Sequence, residues 1–123
     1  MNTYRRDVGK FGETLAEKYF CSKRYTIKGR NITTPFGEID LVAMDGNCLV
    51  FIEVKTRISG KFGEPLASIT ASKRKTILKN CQYYIKCNAL QNRYWRIDAV
   101  GIELNKELDL EVMIYAKNAV MED

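Results

Sequence analysis

The stretch that most constrains the fold runs from residue 37 to residue 57, Gly-Glu-Ile-Asp-Leu-Val-Ala-Met-Asp-Gly-Asn-Cys-Leu-Val-Phe-Ile-Glu-Val-Lys-Thr-Arg. Two apolar runs flank the polar break Asp45-Gly46-Asn47, the strongest short-range signal for a β-hairpin. Each run also carries charges where a buried strand should have none. Side chains alternate between faces along a strand. Glu38 and Asp40 therefore share one face of the first run, with Val42, while Ile39, Leu41 and Ala43 take the other. On the second run Glu53, Lys55 and Arg57 share a face with Leu49 and Phe51, opposite Val50, Ile52 and Val54.

The turn decides how the charged faces meet. With Gly46-Asn47 central, Asp45 pairs with Cys48, Asp40 with Glu53 and Glu38 with Lys55. With Asp45-Gly46 central, Glu38 faces Glu53 and Asp40 lies a diagonal step away. Directly opposed Cβ atoms lie ~5 Å apart and diagonal ones ~7–8 Å. Both registers gather three carboxylates and one ammonium into one patch. Opposed like charges destabilise a hairpin, and a divalent cation would relieve them.

The rest of the chain frames that hairpin. With 123 residues it is expected to form one domain spanning 1–117, with a frayed tail at 118–123. Residues 4–24 read as an amphipathic helix whose apolar half holds Val8, Phe11, Leu15, Ala16, Tyr19 and Phe20. Gly9, Gly12 and Ala16 suit a helix lying close to another backbone. Glu13 stands at the edge of that stripe, where a surface glutamate paired with Lys10 or Lys18 is the plain alternative to a functional acid.

Tyr25–Ile32 is a first strand, and 58–65, with two glycines and a proline, an exposed loop. A second helix runs from Ala71 to Cys87, capped by Thr70 or Ser72, with Ile77, Leu78, Cys81, Tyr84 and Ile85 buried. Strands follow at Tyr94–Ile102 and Leu110–Ala116. A helix between the third and fourth strands makes those two parallel. The expected architecture is α/β, a mixed sheet flanked by helices.

Composition narrows the chemistry. There is no histidine, which removes imidazole bases, the usual nucleophilic triads and most zinc or iron sites. Cys21, Cys48, Cys81 and Cys87 match no zinc-site spacing and read as free, buried thiols. No run of 18 apolar residues occurs and the N-terminus is charged, so no membrane partner and a cytoplasmic location are expected. The net charge of +5 is compatible with a polyanionic partner.

Lys73, Arg74 and Lys75 stand in the first turns of the second helix, against its macrodipole. They are candidate phosphate contacts together with Arg57, unless they are simply a solvated basic face. Asp40 and Glu53 are candidate ligands for Mg²⁺ or Mn²⁺, which take carboxylate oxygens and water. The backbone carbonyl of Val54 could complete the shell, and Lys55 could position a water or neutralise developing charge. The alternative is an ordinary exposed face with a Glu38–Lys55 salt bridge. Asp98 shares a strand face with Arg96, and a local ion pair suits it better than catalysis.

Asp40 followed by Glu53-Val54-Lys55 resembles the D…(D/E)-x-K signature of the restriction-endonuclease-like, or PD-(D/E)xK, nucleases. Gly12-Glu13, Arg30-Asn31, Gly37–Ala43, Phe51–Arg57, Lys73 and Ile97-Asp98 together resemble the YraN family of small bacterial endonuclease-like proteins, over roughly residues 6–117. The resemblance implies an α-β-β-β-α-β core similar to Holliday-junction resolvases, and Mg²⁺- or Mn²⁺-dependent cleavage of DNA, selective for branched structure. It implies that Asp40 and Glu53 are the metal ligands, Lys55 the catalytic lysine and Glu13 the acid from the first helix. It chooses Asp40 over Glu38, leaving Glu38 to pair with Lys55. Ile39 stands where the signature has proline. A homodimer is the matching expectation, because a four-way junction is symmetric. A non-catalytic nucleic-acid-binding module on the same fold is the rival reading.

Overall fold

A computed structural model describes residues 3–59, 66 and 69–121. The elements are α1 (Thr3–Ser22), β1 (Thr26–Thr34), β2 (Gly37–Asp45), β3 (Cys48–Ile58), α2 (Ala71–Cys87), β4 (Tyr94–Leu104) and β5 (Leu110–Val120). The five strands form one sheet in chain order, β1-β2-β3-β4-β5. Only β3 and β4 are parallel, joined through α2, and the other neighbours are antiparallel. This is the mixed α/β sheet with two helices that the hydrophobic pattern predicts, with the α-β-β-β-α-β order at its heart. The reading of 58–65 as a loop falls mostly on residues 60–65, outside those described.

The sheet divides two apolar cores. Val8, Ala16 and Phe20 of α1 pack on Leu41, Ala43, Val50, Ile52, Val54, Val100 and Ile102. On the other face Ile77, Cys81 and Ile85 of α2 pack on Val42, Leu49, Phe51 and Ile97. The buried stripe of α1 recurs every fourth residue (Val8, Gly12, Ala16, Phe20), and Phe11, expected inside, is exposed. Four residues fall 40° past a full turn, so the drifting stripe rotates Phe11 to the rim.

Gly12 sets how closely α1 approaches β3. A Cβ there would lie 1.9 Å from Thr56 Oγ1 and 2.8 Å from Thr56 Cβ. Gly12→Ala gains up to ~1 kcal/mol of helix propensity. Against that, the overlap demands a backbone shift costing typically ~1–3 kcal/mol. The contact is expected to win, lowering the melting temperature in a thermal scan.

α2 starts at the predicted cap: the Thr70 hydroxyl accepts from Lys73 N at 3.2 Å. It ends at Asn88, whose N–H bonds Tyr84 O at 3.1 Å, before Ala89 turns left-handed at φ 53°. The last strand exceeds its predicted length. β5 continues to Val120, which is buried against the α2-side core, so residues 118–120 are sheet and not a frayed tail. Alternation is weak in Lys117–Met121, but pairing of Val120 with Ile97 holds the segment. Among the thiols only Cys81 is buried; Cys48 is half-buried, and Cys21 and Cys87 are exposed on helix surfaces. Among the described residues no helix is long and apolar enough to cross a membrane.

Candidate active site

The hairpin closes with Asp45 opposite Cys48, the register in which Gly46-Asn47 are central, and Gly46 supplies the positive φ of 59°. The β2–β3 ladder then runs from that turn to Leu41 opposite Ile52. Asp40 and Glu53 are the next residues on either side. There the ladder stops, and the Asp40 carboxylate Oδ2 accepts the Val54 N–H at 2.8 Å. A residue's N–H and C=O point to the same neighbouring strand, so the Val54 carbonyl faces the same gap.

Beyond Leu41 β2 is released from β3, and strict alternation fails. Ile39 packs with Val42 in the α2-side core, although Leu41 and Ala43 lie in the α1-side core. Glu38 turns to the α1 side. Asn31, left-handed at φ 49°, donates from Nδ2 to Glu13 Oε1 at 2.9 Å and to Glu38 Oε1 at 3.1 Å. One amide thus holds two carboxylates, one from α1 and one from β2. The expected Glu38–Lys55 bridge is not formed among the described residues, because Asn31 is the nearer partner for Glu38. Glu13 likewise takes Asn31 in place of Lys10 or Lys18.

The electrostatics match an acid pair taken out of water. Burial raises Glu53 to about 8; Asp40 adds to the rise, Lys55 opposes it, and Glu13 and Glu38 push the same way as Asp40. Burial likewise raises Asp40 to about 6, with the Val54 N–H and Lys55 lowering it and Glu13 and Glu38 raising it. Lys55 thus sits close enough to act on both acids. Glu53 also reaches across to α2: burial first, then Glu53, pushes the Cys81 thiol upward.

Could these residues hold a metal? Among the described residues no group of three or more histidine, cysteine, aspartate or glutamate side chains is placed to hold a metal ion. Two hard-oxygen carboxylates raised by burial, with Lys55 offsetting only part of the rise, fit Mg²⁺ or Mn²⁺ nonetheless, because Mg²⁺ keeps most of its waters and uses one or two protein carboxylates. The donor set suits a hydrated divalent cation and not zinc, which prefers nitrogen and sulfur.

Two of the sequence candidates stand apart. Asp98 is completely buried and pairs in register with Ile52, whose side chain lies in the α1-side core, so it points away from Glu53. It accepts from Arg96 Nε at 3.0 Å, from Asn118 N at 2.9 Å and from the Tyr115 hydroxyl. Arg57 pairs with Glu103 Oε2 at 3.5 Å on the neighbouring strand and is half-buried, so it is not a freely presented phosphate contact. Lys73, Arg74 and Lys75 are exposed in the first turn of α2, one turn before Ile77, which packs beside Glu53.

Three features were not read from the sequence. Asn31 bridges the acids. Asn80, 3% exposed, bonds the Thr34 hydroxyl and lies 3.5 Å from Glu38 O; its position between Ile77 and Cys81 in a buried stripe was the available signal. Finally, an open cleft of about 470 Å³ between α1 and the β1–β2 region is lined by Arg5, Arg6, Gly9, Lys10, Glu13, Asn31 and Glu38. No ion pair engages its three cations among the described residues.

Comparison with known proteins agrees on kinship. Residues 12–102 match the model of a family described as uncharacterised protein family UPF0102. A UPF0102 protein of Clostridium botulinum (strain Loch Maree / Type A3) is 42% identical over 106 residues, covering 85% of this chain and 86% of the relative. One from Thermodesulfovibrio yellowstonii is 45% identical over 103 residues, covering 83% and 90%. The match contains Gly12-Glu13, Asn31, the whole acid hairpin and α2. The chain belongs to the UPF0102 family.

Proposed function

We propose that this protein is a divalent-metal-dependent DNA endonuclease of the PD-(D/E)xK type, acting on branched DNA. The observation that carries the reading is the meeting of Asp40 and Glu53 at the end of the β2–β3 ladder, both raised chiefly by burial, Glu53 also by Asp40, with Lys55 acting on both. Unpaired carboxylates in a partly buried site are costly, and phosphodiester hydrolysis is a use that repays such a cost.

Asp40, Glu53 and the Val54 carbonyl would hold Mg²⁺ or Mn²⁺. When bound, such an ion lowers the pKa of a coordinated water and polarises a phosphoryl oxygen. The Val54 N–H orients the Asp40 carboxylate, leaving its other oxygen for the ion. Lys55, beyond Glu53 on the same strand face, would neutralise charge building on the phosphate or position the attacking water. Glu13, held by Asn31, would orient that water from the α1 side. Arg5, Arg6 and Lys10 on one helix, and Lys73, Arg74 and Lys75 on the other, would bind flanking phosphates.

The test is incubation of junction, flap and linear DNA with the protein and Mg²⁺ or Mn²⁺. Asp40→Ala and Lys55→Ala are each expected to lower the cleavage rate at least ~100-fold, the scale of losing one preorganised charge at a reacting centre. Cleavage unchanged by both would identify a contaminant and sink the assignment. The cations that line the α1 cleft without ion pairs favour one second reading, a nucleic-acid-binding module without hydrolysis. It predicts salt-dependent binding and no cleavage with either metal.

A further inference from the structure

At the start of the acid strand, Phe36 of the turn between β1 and β2 and Tyr83 of α2 present an aromatic pair to solvent. Phe36 and Tyr83 are 48% and 39% exposed, from different elements, and their ring centroids lie 6.4 Å apart at 79°. Lys79 Nζ stands 5.8 Å from the centre of the Phe36 ring. Neither ring belongs to either core.

The backbone that carries Phe36 is tied to α2. The Thr34 hydroxyl accepts the Phe36 N–H at 3.0 Å and itself bonds the buried Asn80 amide oxygen. Gly37, at φ 148°, lies so near Asn80 that a Cβ would stand 3.4 Å from its Nδ2. Asn80 also lies 3.5 Å from Glu38 O, so one side chain ties the turn to α2 and to the start of the acid strand. Phe36 stands two residues before Glu38 and four before Asp40, ~13 Å along an extended strand, and Tyr83 follows Asn80 by three.

Exposed aromatic rings, accompanied by an ammonium group, are what a nucleobase needs from a stacking surface. A base inside a duplex is already stacked on both faces. An unpaired base has a free face.

We propose that Phe36 and Tyr83 form a stacking platform for an unpaired nucleobase beside the Asp40–Glu53 centre, with Lys79 on the adjoining phosphate. The platform would favour DNA that is single-stranded next to the cleaved bond, as at a flap, gap or junction centre. This rests on the nucleic-acid reading of the site but not on its catalytic activity.

The experiment measures binding of the full chain, in EDTA, to fluorescently labelled single-stranded, flap and blunt-duplex DNA. Phe36→Ala is expected to weaken binding of the single strand and flap roughly tenfold, the scale of one base–aromatic stack, and Tyr83→Ala, whose ring meets Phe36 edge to face, to weaken it by a smaller factor. Duplex affinity is expected to stay within about twofold, and Phe36→Trp to restore single-strand binding. Unchanged melting temperatures would separate these effects from unfolding. Equal losses on all three DNAs, no loss on any, failure of Phe36→Trp to rescue, or no binding by the wild-type chain would each overturn the platform. Selective binding by a chain that cleaves none of these DNAs when Mg²⁺ or Mn²⁺ replaces EDTA would support the platform while removing the nuclease reading.

Discussion

Glu53→Gln is expected to stabilise the metal-free protein at pH 8, although it removes a residue from the centre of the site. The Glu53 carboxyl is raised from 4.5 to about 8 in the fold, chiefly by burial and then by Asp40. Between those values the folded chain holds a proton that the unfolded chain has released. Stability relative to pH 4.5 therefore falls as pH rises through that window, with the full penalty present above about 8. Asp40 adds a slope of the same sign between 3.8 and about 6. At ~1.4 kcal/mol per pKa unit the cost is several kcal/mol, and glutamine, uncharged throughout, escapes the Glu53 share of it.

The expected result is a rise in melting temperature on the order of 10 °C at pH 8, shrinking towards zero near pH 4.5. Mn²⁺ should invert the ranking, because an ion competes with protons for the same oxygens. It should stabilise the wild-type chain more at pH 8 than at pH 5, and leave Glu53→Gln unmoved. Thermal scans at both pH values, with and without Mn²⁺, check this. A variant less stable than wild type at pH 8 without metal would show that the Glu53 carboxylate supports the fold and does not strain it.

Asp98→Ala is expected to have the opposite consequence, a large loss of stability. Asp98 is fully buried and balances Arg96, whose Nε donates to both its oxygens at 3.0–3.1 Å. The same Arg96 reaches Asp45 Oδ2 at 3.2 Å and the Tyr25 hydroxyl at 2.9 Å, while Asn118 N holds the β5 end. Deleting Asp98 removes the buried partner of Arg96, leaves it only the half-exposed Asp45, and strands the Asn118 N–H and Tyr115 hydroxyl, a loss on the scale of breaking a buried ion pair, ~3–5 kcal/mol. That is a large share of the ~5–15 kcal/mol that holds a domain of ordinary stability. Urea titration should show it as a lower midpoint with a similar slope. At low temperature, where the variant remains folded, the Mn²⁺ response should persist, since Asp98 faces away from Glu53. Loss of metal response in a folded Asp98→Ala chain would instead place Asp98 in the site.

Much of the site's framework was legible because local rules govern it. The Asp45-Gly46-Asn47 break allowed two turn registers, each bringing the acids together, and the structure takes the one with Gly46-Asn47 central, from which the meeting of Asp40 with Glu53 follows by counting. Thr70 as cap, the ends of α2 and the parallel β3–β4 pair were likewise readable, being consequences of nearby residues and hydrophobic period. The errors begin where a local rule loses its support. Alternation placed Ile39 with Leu41 only for as long as β2 stays bonded to β3, and it does not beyond Leu41.

What the sequence alone determined, then, was the element order, the place of the hairpin turn and, in either of its two registers, the convergence of the carboxylates and a lysine. Those depend on backbone geometry, which repeats every two residues in a strand and every 3.6 in a helix. Only the tertiary structure decided the partners of the remaining charges. It gave Glu38 and Glu13 to Asn31, Arg57 to Glu103 and Asp98 to the β5 side, and it set Arg5, Arg6 and Lys10 around the cleft beside the acids. Those choices turn on which side chains arrive within about 3 Å of one another from elements far apart in the chain, and no period along the sequence encodes that distance.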